Sequence, residues 1–290
     1  MALRPNGRYN YSPITARSDY HWPGGTKLAV YIALNLEHFA FGEGLGARLV
    51  PSAGFEPDVL NYSWRDYGNR VGVWRMLEEF DRLALPIAVL VNSEIYGYCP
   101  EVMEAFRKRG DEVVGHGRTN SERQSVMSHE NEADLIREVT SSILAQEGQR
   151  PKGWLGPWIS ESFKTPDLLK AEKYDYVLDW CHDDQPTLLS TANGPLLSIP
   201  YPEETNDIPA IVVRQIGAAE FADAIIDQLD ELMEQAARQP LVAGIALHAY
   251  LVGQPFRLRH LRRALEHLAG LRDRIWLTRP GSIAEYFTSL

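Results

Sequence analysis

Three of the eight histidines in this 290-residue chain stand in one kind of place. His38 follows the apolar run LAVYIALNL and Glu37, His116 follows Val113-Val114-Gly115, and His248 closes LVAGIAL. A histidine at the C-terminal lip of a strand can hold a metal, take a proton or give one. Other apolar runs also end in reactive or aromatic groups: Asn35 and Glu37, Asn92-Ser93-Glu94, Arg118 to Asn120, Trp154 to Trp158, Asp179-Trp180, and Tyr201 to Asp207. The beginnings of the same runs, at Lys27, Pro86, Asp111 and Leu241, carry nothing comparable. Taken singly, each residue has an ordinary reading. Glu37 could pair with Arg70, Asp183-Asp184 could be a solvated turn, and Trp74 and Trp276 read as packing. The convergence on one end of the runs carries the argument.

Such an asymmetry is expected of a parallel α/β barrel, whose reactive groups gather at the C-terminal strand ends. Strand candidates are LAVYIALNLE, PIAVLVNS, DEVVGHG, GWLGP, YDYVLDW, LLSIPY, LVAGIALHA and IWLTRP. Most are continuous apolar runs, as strands covered on both faces should be. Amphipathic helices are predicted over 70–83, 131–146, 218–237 and 257–271. The alternation implies parallel strands with right-handed crossovers. Neither a GxGxxG nor a Walker A loop follows the first strand, which weakens an open nucleotide-binding sheet. The expectation is one α/β domain over 1–290, a distorted (β/α)7 barrel with an N-terminal arm at 1–25. The Gly- and Pro-containing stretch from Phe39 to Tyr67 is expected to be an active-site loop.

A net charge of −10 disfavours nucleic acid as a partner. Two distant cysteines, Cys99 and Cys181, make no disulfide framework. No apolar leader or membrane-length run is visible, so a cytoplasmic protein with a small-molecule substrate and no membrane partner is expected.

With these positions assembled, the chain resembles the polysaccharide deacetylase (NodB-homology) superfamily from Lys27 to Tyr286. It is most similar to the branch of allantoinase-like enzymes and atypical peptidoglycan deacetylases. WRDYGNRVGVWRML, GHGRTNS, GWLGPW and LHAYLVGQPFR carry the resemblance in that order. It implies a (β/α)7 barrel, hydrolysis of an amide-type C–N bond, and a homo-oligomer. Typical members carry Thr-Phe-Asp-Asp at the first strand, a base followed by a metal ligand. Asn35-Leu36-Glu37-His38 stands there, so Glu37 inherits the base role and His38 the metal position. The paired metal histidines become His116 and Asn120, and the Arg-x-Pro motif keeps only Pro157, with Leu155 in place of Arg. The terminal Leu-x-His motif is represented by Leu247-His248.

These matches give a set of expected roles. Glu37 is the general base, His248 the acid for the leaving nitrogen, and His116 a contact to the oxyanion or to a metal. Trp154, Trp158 and Trp180 would form apolar walls. Arg118, Asp179, Asp184, Tyr201, Glu204 and Asn206 would orient the substrate. A divalent metal such as zinc, on His38, His116 and Asn120, stays open beside a preferred metal-free mechanism, because Asn120 is a poor ligand. The expected substrate is a small amide, ureide, cyclic imide or N-acylated sugar. Alternatives are N-deacetylation of oligosaccharides or peptidoglycan fragments, and a degenerate barrel that only binds its ligand.

Overall fold

A computed structural model describes residues 5–42 and 57–290. Within them lie nine strands, β1 (Leu28–Leu36), β2 (Ala88–Val91), β3 (Glu112–Gly115), β4 (Gly153–Trp154), β5 (Tyr176–Val177), β6 (Thr187–Leu189), β7 (Leu196–Ser198), β8 (Leu241–His248) and β9 (Trp276–Thr278). The order β7-β5-β4-β3-β2-β1-β8 is parallel throughout, which makes a curled ring of seven strands. Between β7 and β8 the ring meets only through an isolated parallel bridge, Asn206 to Ala246. The expected distorted (β/α)7 barrel is therefore present. The expectation that all strands are parallel fails at β6, which turns back antiparallel on β7. The short β9 pairs with the start of β1.

The helices are α1 (Val59–Tyr67), α2 (Val73–Arg82), α3 (Ile95–Tyr98), α4 (Pro100–Arg109), α5 (His129–Glu147), α6 (Thr165–Ala171), α7 (Ala218–Gln235), α8 (Ala249–Val252), α9 (Pro255–Gly270) and α10 (Pro280–Ser289). The four helices expected from periodicity match α2, α5, α7 and α9. Trp74 is a correction: it is exposed on α2 rather than packed in the barrel. The expected loop over Phe39–Tyr67 is corrected at its end, where α1 begins with the Asp58 side chain accepting from Asn61 N–H. Residues 43–56 of that stretch lie outside the described residues. A wide turn, Gly68–Gly72, joins α1 to α2.

Strand periodicity sorts the core into two layers. Val30, Ile32, Leu34, Val89, Val91 and Trp154 face outward and pack with the helices. Ala29, Tyr31, Ala33, Leu90, Val114, Leu155 and Ala246 face the barrel axis. Successive residues of a strand point to opposite faces, so each run fills both layers at once. That explains why the runs are apolar without alternation. Tyr31 fills the narrow interior, and its hydroxyl donates to the Pro200 carbonyl at 2.6 Å. Opposite it only glycine fits at Gly244, where a Cβ would stand 2.8 Å from the Tyr31 hydroxyl.

The arm lies against its own chain. Arg8 pairs with Asp167 at 2.9 Å, and the buried Trp22 indole donates to the Leu241 carbonyl at 2.9 Å. No described helix is long and apolar enough to cross a membrane.

Candidate active site

The inward series on each strand continues past the apolar layer into polar groups. On β1 it runs Ala29, Tyr31, Ala33, Asn35, Glu37, Phe39; on β3, Val114 then His116; on β8, Ala246 then His248. Alternation alone thus delivers Glu37, His116 and His248 to one point above the core. They lie at the floor of a cavity of about 210 Å³. Glu37 Oε1 is 3.7 Å from His116 Nε2 and 3.5 Å from His248 Nε2.

Neighbours fix the state of each group. His116 Nδ1 lies 2.8 Å from the Leu155 carbonyl. A carbonyl only accepts, so Nδ1 carries the hydrogen and a neutral ring keeps its lone pair on Nε2. That Nε2 is buried without a hydrogen-bond partner. His248 is held from behind by Asp207, whose carboxylate takes the backbone N–H at 2.7 Å and Nδ1 at 2.6 Å. Burial alone would strip the proton from His248, but the carboxylates of Asp207 and Glu37 prevail and raise it to about 10. Burial also opposes charge on Glu37, yet the neighbouring charged imidazole of His248 holds its carboxyl below the usual range. At neutral pH the floor therefore presents a carboxylate beside an imidazolium.

Two asparagines settle the donor set. His38 N–H donates to Asn92 Oδ1 at 2.8 Å, which turns the Asn92 amide nitrogen toward the His116 carbonyl and toward Asn120 Oδ1 at 3.0 Å. Asn120 must then offer its NH₂, and that group donates to Glu37 Oε1. The expected metal set does not assemble. His38, one residue out of phase with Glu37, points away from the cavity and packs on Tyr98 with ring centroids 4.6 Å apart. Asn120 turns a donor rather than an oxygen toward the carboxylate. Among the described residues no three of His, Cys, Asp and Glu are arranged to hold a metal ion.

Of the other expected residues, Trp158, Tyr201 and Asn206 line the cavity. Tyr201 accepts from Asn35 at 3.1 Å, and the Trp158 indole donates to the Asn120 carbonyl at 2.8 Å. Trp158 and Ile159 follow Pro157 with φ of 65° and 51°. Each left-handed residue costs about 1–3 kcal/mol, which the packing of this cavity wall must outweigh.

Six expected substrate contacts lie elsewhere. Trp154 faces the helix layer, where its indole donates to Gln124 at 3.0 Å, because Leu155 takes the inward position. Trp180 donates to Glu161 and packs on Tyr9 of the arm. Asp179 accepts from Gly156 N–H, and burial together with Glu161 pushes its carboxyl well up. It secures the loop that carries Trp158. Arg118 is engaged on the outside by Glu122 and Glu138. Glu204 is an exposed partner of Arg214. Asp184 lies at the other end of the barrel, its carbonyl taking the N–H of Val242 near the start of β8.

The sequence reading missed Asp207, Arg65 and Tyr250. Asp207 was visible only as the last of several polar residues after Tyr201. Arg65 sits in the stretch read as a loop, although the WRDYG segment that contains it carried part of the resemblance. Arg65 is 3% exposed, and its guanidinium has no hydrogen bond of good geometry among the described residues and lies 3.6 Å from the Phe39 ring centroid.

A carboxylate that can take a proton from water and an imidazolium that can give one, in a small cavity at a barrel mouth, make a site suited to hydrolysis. Comparisons with known proteins agree. A solved probable polysaccharide deacetylase from Pseudomonas aeruginosa PAO1 is 29% identical, with a TM-score of 0.83 over 97% of this chain and 95% of that one. The solved Puue allantoinase is 27% identical, with a TM-score of 0.84 over 97% and 98% of the two chains. A Schizosaccharomyces pombe protein named as a polysaccharide deacetylase is 24% identical over 303 residues, 92% of either chain. No family model matches. The chain is a C–N hydrolase, similar over nearly its whole length to proteins named polysaccharide deacetylases, with an allantoinase among its full-length structural neighbours.

Proposed function

We propose that the protein hydrolyses a small, planar amide, a cyclic imide or ureide above all, with Glu37 activating water and without a bound metal. One observation carries this reading: the Glu37 carboxylate stands between the free His116 Nε2 and the Asp207-held His248 imidazolium, on the floor of a cavity of about 210 Å³. That volume is below the usual 300–1,000 Å³ of ligand pockets, so it suits a small ring or acyl group better than a sugar chain.

The steps follow from the placement of protons. Water sits between Glu37 and His116, giving one hydrogen bond to each. As its oxygen attacks the carbonyl carbon, its proton passes to Glu37, and the carbonyl π electrons move onto oxygen. Loss of the Glu37 charge removes one of the anions that hold the His248 proton. His248 therefore becomes more acidic at the moment the departing nitrogen needs a proton. Glu37, 3.5 Å from His248, then returns its proton to the imidazole and closes the cycle. The deacetylase names of the relatives favour N-acyl sugars as a second substrate class.

A panel of allantoin, succinimide and N-acetylglucosamine, assayed with and without chelator, tests the reading. Turnover of a ring substrate unaffected by chelation is expected. Glu37→Gln should lower kcat by roughly 10²–10⁴-fold, the scale of general-base catalysis. Retained turnover in that variant, or chelator-sensitive activity confined to the N-acetyl sugar, would overturn it.

A further inference from the structure

The cavity walls contain a cation that the steps above leave unused. Arg65 is buried, yet Nε and both terminal nitrogens of its guanidinium lack hydrogen-bond partners among the described residues. The buried Tyr250 hydroxyl, from α8, makes no well-formed hydrogen bond either, although it lies near enough to the guanidinium for each to influence the other's protons. Both residues line the same cavity as Glu37 and His248. Phe39 stacks on the guanidinium at 3.6 Å, and Trp158 stands 5.7 Å away. Those rings cover its faces but cannot satisfy its edge, where the N–H groups point. A buried cation with unsatisfied donors is costly, and a fold that keeps one gains when an acceptor arrives.

We infer that Arg65 is the electrophilic group of this site, the cation that meets the carbonyl oxygen as it becomes negative and stays with the carboxylate once the C–N bond is broken. The inference rests on the amide-hydrolase reading, and it deepens it by naming the charge that replaces a Lewis acid. The donors around Glu37 do not suit a metal, and His248 is committed to the nitrogen. Attack by water moves one unit of charge from Glu37 to the substrate oxygen, and no other unengaged cation lines the cavity among the described residues. Guanidinium suits this oxygen through the whole step, because it binds a carboxylate with two parallel hydrogen bonds. Tyr250 adds a neutral donor from the neighbouring helix.

The test is equilibrium binding first and turnover second. Calorimetry would compare succinamate, the ring-opened anion, with neutral succinimide on wild type, Arg65→Met and Arg65→Lys. Succinamate affinity should fall at least tenfold in Arg65→Met, succinimide affinity less than threefold, and Arg65→Lys should lie between. Equal losses for both ligands, or no carboxylate binding by the wild type, overturn the inference. Because binding needs no turnover, a failed substrate panel with Arg65-dependent carboxylate binding would sink the functional reading alone. On a substrate that is turned over, Arg65→Ala should lose on the order of a hundredfold or more in kcat. Added guanidinium ion should restore part of it. An Arg65→Met enzyme that regains full kcat at a shifted pH would show that Arg65 only tunes Glu37, which also overturns the inference.

Discussion

At the scale of single residues, neighbours one position apart have opposite fates. Glu37 reaches the cavity and His38 does not; Leu155 does and Trp154 does not. The two tryptophans near Pro157 separate the consequences. Trp158→Ala should raise KM, because its ring walls the cavity, and should lower the melting temperature as well, because that packing offsets the left-handed backbone at 158 and 159. Trp154→Ala should leave KM alone and cost about 3–5 kcal/mol of stability, the range for emptying a fully buried aromatic site. Urea unfolding and initial rates on the same preparations would check both. Glu37, His116 and His248 could be read from sequence because each stands at the C-terminal end of a continuous apolar run. Asp207 and Arg65 could not. They come from segments without strand periodicity, and their meaning depends on contacts to His248 and Phe39 across long stretches of chain. The error at Trp154 has the same origin, since a two-residue strand gives too little pattern to say which face a side chain takes.

At the scale of elements, the helix carrying Arg65 is seated by glycines. At Gly72 a Cβ would come 2.1 Å from the Ala249 carbonyl, and at Gly253 a Cβ would come 2.6 Å from Gly72 Cα. Only bare backbone lets the turn between α1 and α2 lie flat on α8. A Cβ at Gly68 would likewise stand 2.7 Å from the Tyr250 amide nitrogen. Gly72→Ala should therefore push α1 off α8, lowering kcat at least tenfold through displaced Arg65 and Tyr250 while the β-sheet stays intact. Activity, circular dichroism and hydrogen exchange over 59–72 would show it, and an enzyme with normal rates would refute it. Periodicity announced α2, α5, α7 and α9 because their buried faces are long. The wide turn at Gly68–Gly72 and the start of α1 escaped, because a helix that packs through glycine has no apolar stripe to read.

At the scale of the whole molecule, charge on the cavity floor ties stability and rate to pH. His248 has its value raised by folding, from 6.5 to about 10. Its contribution is complete below pH 6.5 and is lost as pH rises toward 10. Glu37 is shifted the other way, so its contribution is present above the ordinary carboxylate range and fades only in acid. The expected profile of kcat/KM is a broad plateau through neutrality with an alkaline limb near 10. Asp207→Asn removes one of the two anions that sustain the His248 proton, so that limb should move toward neutral pH. A limb left in place would show that another group sets it.

The side chain of Tyr31 has a further consequence for traffic. With its ring across the axis and its hydroxyl fastened to Pro200, Tyr31 blocks the interior among the described residues, so the barrel is no tunnel. A long polymer cannot be threaded through and cut as it passes. Substrate and product must then both pass the C-terminal mouth of the strands, where Trp158 and Asn206 stand.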